Sequence, residues 1–220
     1  MLHQSLLNQV KNHKWLKGFT IYSLRMVQQV LKGENIFLRL LEYEDLPYRV
    51  EWLNDDEISS GITIEGPVSL AKTQEWFRKN VLDDTKRHLV IVDNKTKEPI
   101  GILGFVEIDF KNRKAELYIA IGNKMYWGRN LGSEALQLAL EYSFIELHLN
   151  RIYLYTDIGN FKAQRLYEKN GFFKEGIFRQ HKYHGGGLKD YVSFSILKTE
   201  WNKMRKKANG KNINILITSV

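Results

Sequence analysis

From residue 36 to residue 197 the apolar positions fall into short strand-like runs and longer helix-like runs that alternate along the chain. Ile36-Phe37-Leu38-Arg39-Leu40-Leu41 has the composition of a strand. Leu46, Val50 and Leu53 recur at helical spacing within Glu42–Asn54, and Asp45 and Pro47 suit the first turn of that helix. Asn54-Asp55-Asp56-Glu57 is a polar break. Ser69 is placed to cap a second helix, Leu70 to about Leu82, with Trp76 and Phe77 on its buried side. Arg87–Val92, Pro99–Asp109 and Lys114–Gly122 read as a meander of three strands, joined by the turn-rich segments Asp93–Glu98 and Lys111–Arg113. Gly101 and Gly104 mark bulges or close backbone approach in the middle strand. Ser133–Leu147 is apolar on two faces, Ala135, Leu138, Ala139, Tyr142 and Ile145 on one and Leu136, Leu140, Phe144 and Leu147 on the other, which predicts a helix buried against a sheet. Arg151–Thr156 follows as a strand, then a helix capped by Asn160 and closed by Gly171. Phe172–Tyr183 and Leu188–Leu197 form a hairpin around His184–Gly187. A strand–loop–helix–strand order over residues 114–156 makes that strand pair parallel within an otherwise antiparallel sheet.

One stretch organises the rest. Met125-Tyr126-Trp127-Gly128-Arg129-Asn130-Leu131-Gly132-Ser133 connects a strand to a buried helix through residues that tolerate positive φ. The first N–H groups of such a helix lack intrahelical partners, and its dipole points positive charge at the loop, so a phosphorylated ligand fits there. Gly132 is followed by Ser133 and Glu134 without a lysine, which disfavours a P-loop. The spacing Gly128-x-x-x-Gly132 also fails the dinucleotide fingerprint.

Composition narrows the classes. The chain of 220 residues is 43% hydrophobic and 12% aromatic, enough for one domain with a sizeable core. It has no cysteine, which excludes disulfides, cysteine metal sites and a cysteine acyl intermediate. Without an apolar run of 18 residues or a signal-peptide core, the expectation is a cytoplasmic protein with no membrane role. The net charge is +8, but residues 1–33 and 203–220 each carry +5, which leaves residues 34–202 at −2. The basicity is therefore in the tails, and no specific nucleic-acid partner is expected. Leu6, Leu7, Val10, Trp15, Leu16 and Phe19 give residues 1–33 a loose amphipathic pattern broken by Gly18. The division is then a basic extension at 1–33, a domain at 34–202 and a basic tail at 203–220, with a short helix at Thr199 to about Lys207.

Two motifs carry a family resemblance. Trp127-Gly128-Arg129-Asn130-Leu131-Gly132 resembles motif A of the GCN5-related N-acetyltransferases, Q/R-x-x-G-x-G/A, most closely in the ribosomal-protein-alanine acetyltransferase branch. Trp127 stands where Q/R is usual, and Asn130 where the central Gly is usual; Asn is the best non-glycine residue for a left-handed backbone. Asn160 to Phe172 resembles motif B, N-x-x-A/S-x-x-L-Y-E-K-x-G-F, at every named position. The resemblance covers about residues 34–202 and implies an α/β (α+β) fold: a mixed, mostly antiparallel sheet flanked by helices, with one parallel strand pair at an acetyl-CoA cleft. It implies acetyl-CoA as cosubstrate and direct transfer of acetyl to a primary amine on a small molecule or peptide; no metal is expected, because His181 and His184 lack cysteine or a clear acidic partner set. A homodimer is left open.

The resemblance also distributes roles. Backbone groups of Ile119, Ala120 and Ile121 would pair with the pantetheine arm. Trp127, Gly128, Arg129, Asn130, Leu131, Gly132 and Ser133 would hold the pyrophosphate. Asn160 and Ala163 would contact the pantetheine or adenosine side. Tyr167 would be the general acid for the leaving thiolate. Glu116, which alternates with Tyr118 and Ala120 opposite Leu117, Ile119 and Ile121, is the candidate base; the alternatives are His181 and His184. The acceptor is open between protein N-termini, polyamines and nucleotide-linked amino sugars. The acidic residues Glu42, Glu44, Asp45, Glu51, Asp55, Asp56 and Glu57 would suit a cation or form a solvated helix face. Arg179, His181 and Lys182 would suit a diphosphate. The competing reading is a non-catalytic acyl-CoA-binding regulatory module of the same fold, favoured by Asn130 and opposed by Tyr167.

Overall fold

The computed structural model describes residues 31–59, 67–184 and 186–209. The patterns noted in residues 1–30 and 210–220 lie outside them. The strands are β1 (Leu31–Lys32), β2 (Ile36–Leu40), β3 (Arg87–Asp93), β4 (Pro99–Asp109), β5 (Lys114–Ile121), β6 (Arg151–Asp157), β7 (Phe173–His184) and β8 (Gly187–Leu197). They form one sheet in the order β1-β2-β3-β4-β5-β6-β8-β7. The helices are α1 (Leu46–Leu53), α2 (Asp56–Ser59), α3 (Leu70–Asn80), α4 (Leu131–Glu141), α5 (Phe161–Lys169) and α6 (Lys198–Asn209). The sheet starts at Leu31, three residues before the expected boundary, and α6 continues past residue 202.

Every pairing is antiparallel except β5 with β6, where Lys114, Ala115 and Glu116 face Arg151, Ile152 and Tyr153. The ladder ends there, although β5 runs on to Ile121 and β6 to Asp157. Beyond Glu116, β5 is bonded to β4 alone and the sheet opens.

Side-chain alternation splits the core between two faces. On one face Leu117, Leu136, Leu140, Phe144, Phe194 and Trp201 belong to the main cluster, under α4, α5 and α6. On the other, Val90, Val92 and Ile102 pack against α1 and α3 through Leu46, Trp52 and Trp76. Ser69 caps α3 as expected, its hydroxyl accepting from the Lys72 amide at 3.2 Å. The α-helix expected over Ser133–Leu147 begins at Leu131 and gives way after Glu141 to a π turn, Tyr142–Glu146. The Leu147 amide reaches back five residues to the Tyr142 carbonyl, and the Ser143 hydroxyl donates to the Leu140 carbonyl at 2.9 Å. The wider turn rotates Ile145, expected in the core, into solvent.

Candidate active site

The opening between β5 and β6 leads into a cavity of about 330 Å³. Its walls come from both faces of the sheet. Leu117, Ile119 and Tyr167 line it from the α4–α5 side, and Arg49, Trp76, His88 and Tyr118 from the α1–α3 side. Glu116, at the last paired position of β5, lines it too.

Tyr167 is buried on α5 with its ring 5.8 Å from Phe172 and 5.7 Å from Phe194. Burial pushes its phenol up to about 12, so it stays protonated. Glu116 is pushed above the ordinary carboxylate value by burial and by the negative charge of Glu107, against the pull of Lys182. Glu107 sits at φ 51 in a bulge of β4 and accepts from the Tyr153 hydroxyl at 2.9 Å.

The loop into α4 has the backbone its composition predicts. Gly128 has φ 76 with open space where a Cβ would stand, and Asn130, the N-cap, has φ 61. Gly128, Arg129 and Asn130 are exposed. Three details bear on the residue roles set out above. The Trp127 indole donates to the Ile121 carbonyl at 2.8 Å, so that carbonyl is already engaged. Leu131 is buried in the core. The buried Ser133 hydroxyl accepts from the Asn170 amide at 2.8 Å while the Ser133 N–H bonds the Asn130 carbonyl, which places Ser133 between helices rather than at the loop surface. Asn170 also accepts from Gln137 at 2.9 Å, and Lys169 donates to Asn130 Oδ1 at 2.8 Å. These bonds join the helices of the two motifs. Asn160 caps α5 through the Ala163 amide at 3.1 Å, and Gly171 closes it at φ 85.

The other wall holds side chains to which the sequence reading gave no role in the site. His88, Gly104 and Tyr118 lie in one row across β3, β4 and β5. Gly104 has no side chain, so Tyr118 crosses over it and its hydroxyl meets His88 Nδ1 at 2.7 Å. A Cβ at Gly104 would stand 2.5 Å from that hydroxyl, which is the close approach its position in the strand suggested. The Trp76 ring lies 4.7 Å from His88, and the Arg49 guanidinium 3.9 Å from the Trp76 ring. Burial, then Arg49 and Lys86, hold His88 down at about 4, so it is neutral at pH 7. Burial pushes the Tyr118 phenol up strongly. Arg49 occupies the buried face of α1, where Val50 was expected; its place three residues after Leu46 and three before Trp52 is the signal in the sequence.

None of the seven acidic residues set out above lines the cavity. Asp45 is buried and held by Arg39 through two bonds of 2.6 and 2.7 Å. Asp55 and Glu57 both pair with Lys124. Of the expected basic set, Lys182 lines the cavity, whereas Arg179 is exposed and His181 sits among Tyr155, Phe178 and Tyr191. His184's side chain lies outside the described set. Among the described residues no group of three His, Asp or Glu is placed to hold a metal. No helix among them is long and apolar enough to cross a membrane.

A mixed sheet that opens at its single parallel pair, beside a left-handed loop at a helix N-terminus, defines a cleft for an extended, phosphate-bearing cosubstrate. Residues 35–173 match the family described as acetyltransferase (GNAT) domain, and the chain belongs to that family. It is 32% identical to the spermidine N(1)-acetyltransferase of Vibrio cholerae serotype O1 over 169 residues, 77% of this chain and 96% of that protein. It is 30% identical to the spermidine N(1)-acetyltransferase of Escherichia coli K12, over 77% of this chain and 89% of the relative. The crystal structure of the Vibrio cholerae spermidine N-acetyltransferase in complex with CoA and spermine matches with a TM-score of 0.73 and 30% identity, covering 77% of this chain and 99% of that one.

Proposed function

We propose that the protein is an N-acetyltransferase that moves the acetyl group of acetyl-CoA directly to a primary amine, with Glu116 as base and Tyr167 as donor to the leaving sulfur. The observation that carries this reading is one cavity, open through the β5–β6 split, that is lined by Glu116 and Tyr167 together. Relatives that acetylate spermidine, and one solved with CoA, support it. The residues present fit the cosubstrate. The free edge of β5 beyond Glu116 offers Ile119 and Ala120 backbone groups for strand-like pairing. Gly128 to Gly132, with Arg129 and the N-terminus of α4, suit a pyrophosphate. The cosubstrate supplies the activated thioester.

An alkyl ammonium must lose a proton before it attacks, and Glu116 takes it, directly or through water. Its raised proton affinity makes it a better base than an exposed carboxylate. The magnitude for Tyr167 decides its role. Full transfer from a phenol near 12 to a thiolate of ordinary pKa about 8.5 is uphill. Tyr167 therefore acts chiefly by a hydrogen bond that strengthens as charge grows on sulfur.

Asn130, the departure that favoured a non-catalytic module, takes the left-handed backbone a glycine would take, which weakens that reading. Thiol release from acetyl-CoA over a panel of amines tests the proposal, and the absence of cysteine keeps a thiol dye free of background. Release with an amine present supports it. Acetyl-CoA binding without release on any amine favours the non-catalytic module.

A further inference from the structure

The charges in the cavity do not suit the polycation that the relatives acetylate. Among the described residues its lining holds three cations, Arg49, Lys86 and Lys182, and a single carboxylate, Glu116. Lys86 is partly neutralised by Asp83 at 3.0 Å. Arg49 has no carboxylate partner among the described residues and lies over the Trp76 ring, whereas Lys182 lies near the Tyr191 ring and is within electrostatic reach of Glu116. Arg49 is only 8% exposed. A buried cation without a counter-charge is costly to keep, so its retention in a cavity wall points to an anion supplied from outside.

The sheet separates the cations by task. Lys182 acts on Glu116, in the row Val106–Glu116–Tyr153. Arg49 acts on His88 and Tyr118, whose row meets β5 two residues further along, about 7 Å away at strand rise. The Arg49 guanidinium lies over the Trp76 ring at 3.9 Å and makes no ion pair with a described carboxylate, and a guanidinium can take a planar acceptor bidentately. His88 adds a second observation. Its Nδ1 is occupied by Tyr118, and its buried Nε2 has no hydrogen-bond partner. The Tyr118 phenol stays protonated, so it meets Nδ1 as donor or as acceptor, and in either tautomer Nε2 is left without a partner in the protein. An unmatched guanidinium, with Lys86 in the same lining, makes this wall the candidate for an anion subsite.

We propose that the acceptor is a small amine that carries its own anionic group, a carboxylate or a phosphate, and that Arg49, with His88 and Lys86 beside it, receives that group while the amine lies toward Glu116. The proposal rests on the acetyl-transfer reading of the same cavity and narrows its substrate class.

The test measures kcat/KM by thiol release with the full chain on matched amines: butylamine against 4-aminobutyrate, glucosamine against glucosamine 6-phosphate, and spermidine alone. The expected result is a preference of at least about tenfold for the anionic member of a pair, with spermidine poorer than either anionic amine. The pair with the larger ratio tells carboxylate from phosphate. Arg49→Gln should bring that ratio close to one by raising KM for the anionic amine, and Arg49→Lys should keep part of it. If Arg49→Gln fails to fold, the wild-type ratios decide alone. Spermidine, butylamine or glucosamine used as well as the amines that carry an anionic group would overturn the proposal, as would a ratio unchanged in folded Arg49→Gln. No release with any amine, despite acetyl-CoA binding, would overturn the acetyl-transfer reading itself, a distinguishable result.

Discussion

The two walls of the cavity are built by different means. On the α4–α5 side, next to the lining residues Leu117, Ile119 and Tyr167, the fold offers backbone: a free strand edge beyond Glu116, a loop held open by Gly128 and Asn130, and a helix N-terminus. Its helices are tied together by Asn170 and Lys169. The α1–α3 side is made of side chains: Arg49, Trp76, His88 and Tyr118 arrive singly from four elements and stack on one another. A backbone surface can bind the invariant part of a cosubstrate whatever the surrounding side chains. A side-chain surface can be re-chosen residue by residue without disturbing the sheet. The proposed reading assigns cosubstrate recognition to one side and acceptor choice to the other, with Glu116 and Tyr167 in the cavity that both sides line.

The sharpest way to break that division is at the junction. Tyr167→Phe removes one buried hydroxyl and leaves the ring against Phe172 and Phe194. Turnover should fall about 10²–10³-fold, the usual effect of losing one donor to developing charge. Acetyl-CoA affinity, measured by calorimetry, should stay within about threefold. A large loss of affinity would place Tyr167 in cosubstrate binding and erase the boundary between the walls.

Glu116→Gln should cost about 10–100-fold in kcat/KM at neutral pH. Its pH signature is more specific. The base works deprotonated, so activity rises with pH through its pKa, and burial plus Glu107 move that limb above the ordinary value of about 4.3. In Glu116→Gln the limb should vanish. His88 cannot supply it near neutrality, because burial holds its pKa at about 4. An acidic limb that survives Glu116→Gln assigns the base elsewhere.

The same division explains which parts were legible in the chain. The three-strand meander, the parallel pair and both motif helices follow from local periodicity and from contiguous motifs, because Trp127–Gly132 and Asn160–Phe172 each build one piece of backbone. Arg49, His88 and Tyr118 have no shared motif; 69 residues separate the first from the last, and only sheet register and helix docking bring them together. Arg49 even opposed the pattern, since a charge in an apolar stripe is ordinarily read as a break in it. The acidic cluster, which suited either a cation or a solvated helix face, takes no part in the cavity. It is dense in sequence, yet its members turn to Arg39, to Lys124 or to solvent. The π turn after Glu141 was hidden because Ile145 continues the apolar spacing that the backbone abandons.

A smaller effect tests the side-chain wall from beneath. Gly104→Ala would bring a methyl group to 2.5 Å from the Tyr118 hydroxyl and 2.6 Å from the Arg87 carbonyl. The backbone atom cannot yield cheaply, so a loss of about 1–3 kcal/mol is expected in chemical denaturation. Acceptor KM should rise more than acetyl-CoA KM, because Tyr118 is displaced from His88 while the β5–β6 split is untouched. Equal rises in both would mean that the two walls move together.

The smallest effect separates backbone from side chain within the other wall. Asn130 contributes two things to the loop: a left-handed backbone at φ 61, and a side-chain oxygen that accepts from Lys169. Asn130→Gly keeps the first and loses the second, whereas Asn130→Ala loses the side chain and also meets the penalty of about 1–2 kcal/mol for an ordinary residue in that conformation. If the wall works through its backbone, acetyl-CoA affinity should stay within about threefold in Asn130→Gly and weaken by about fivefold or more in Asn130→Ala. Equal losses in the two variants would instead make the Lys169–Asn130 bond the feature that holds the loop. This wall would then depend on placed side chains as much as the wall opposite.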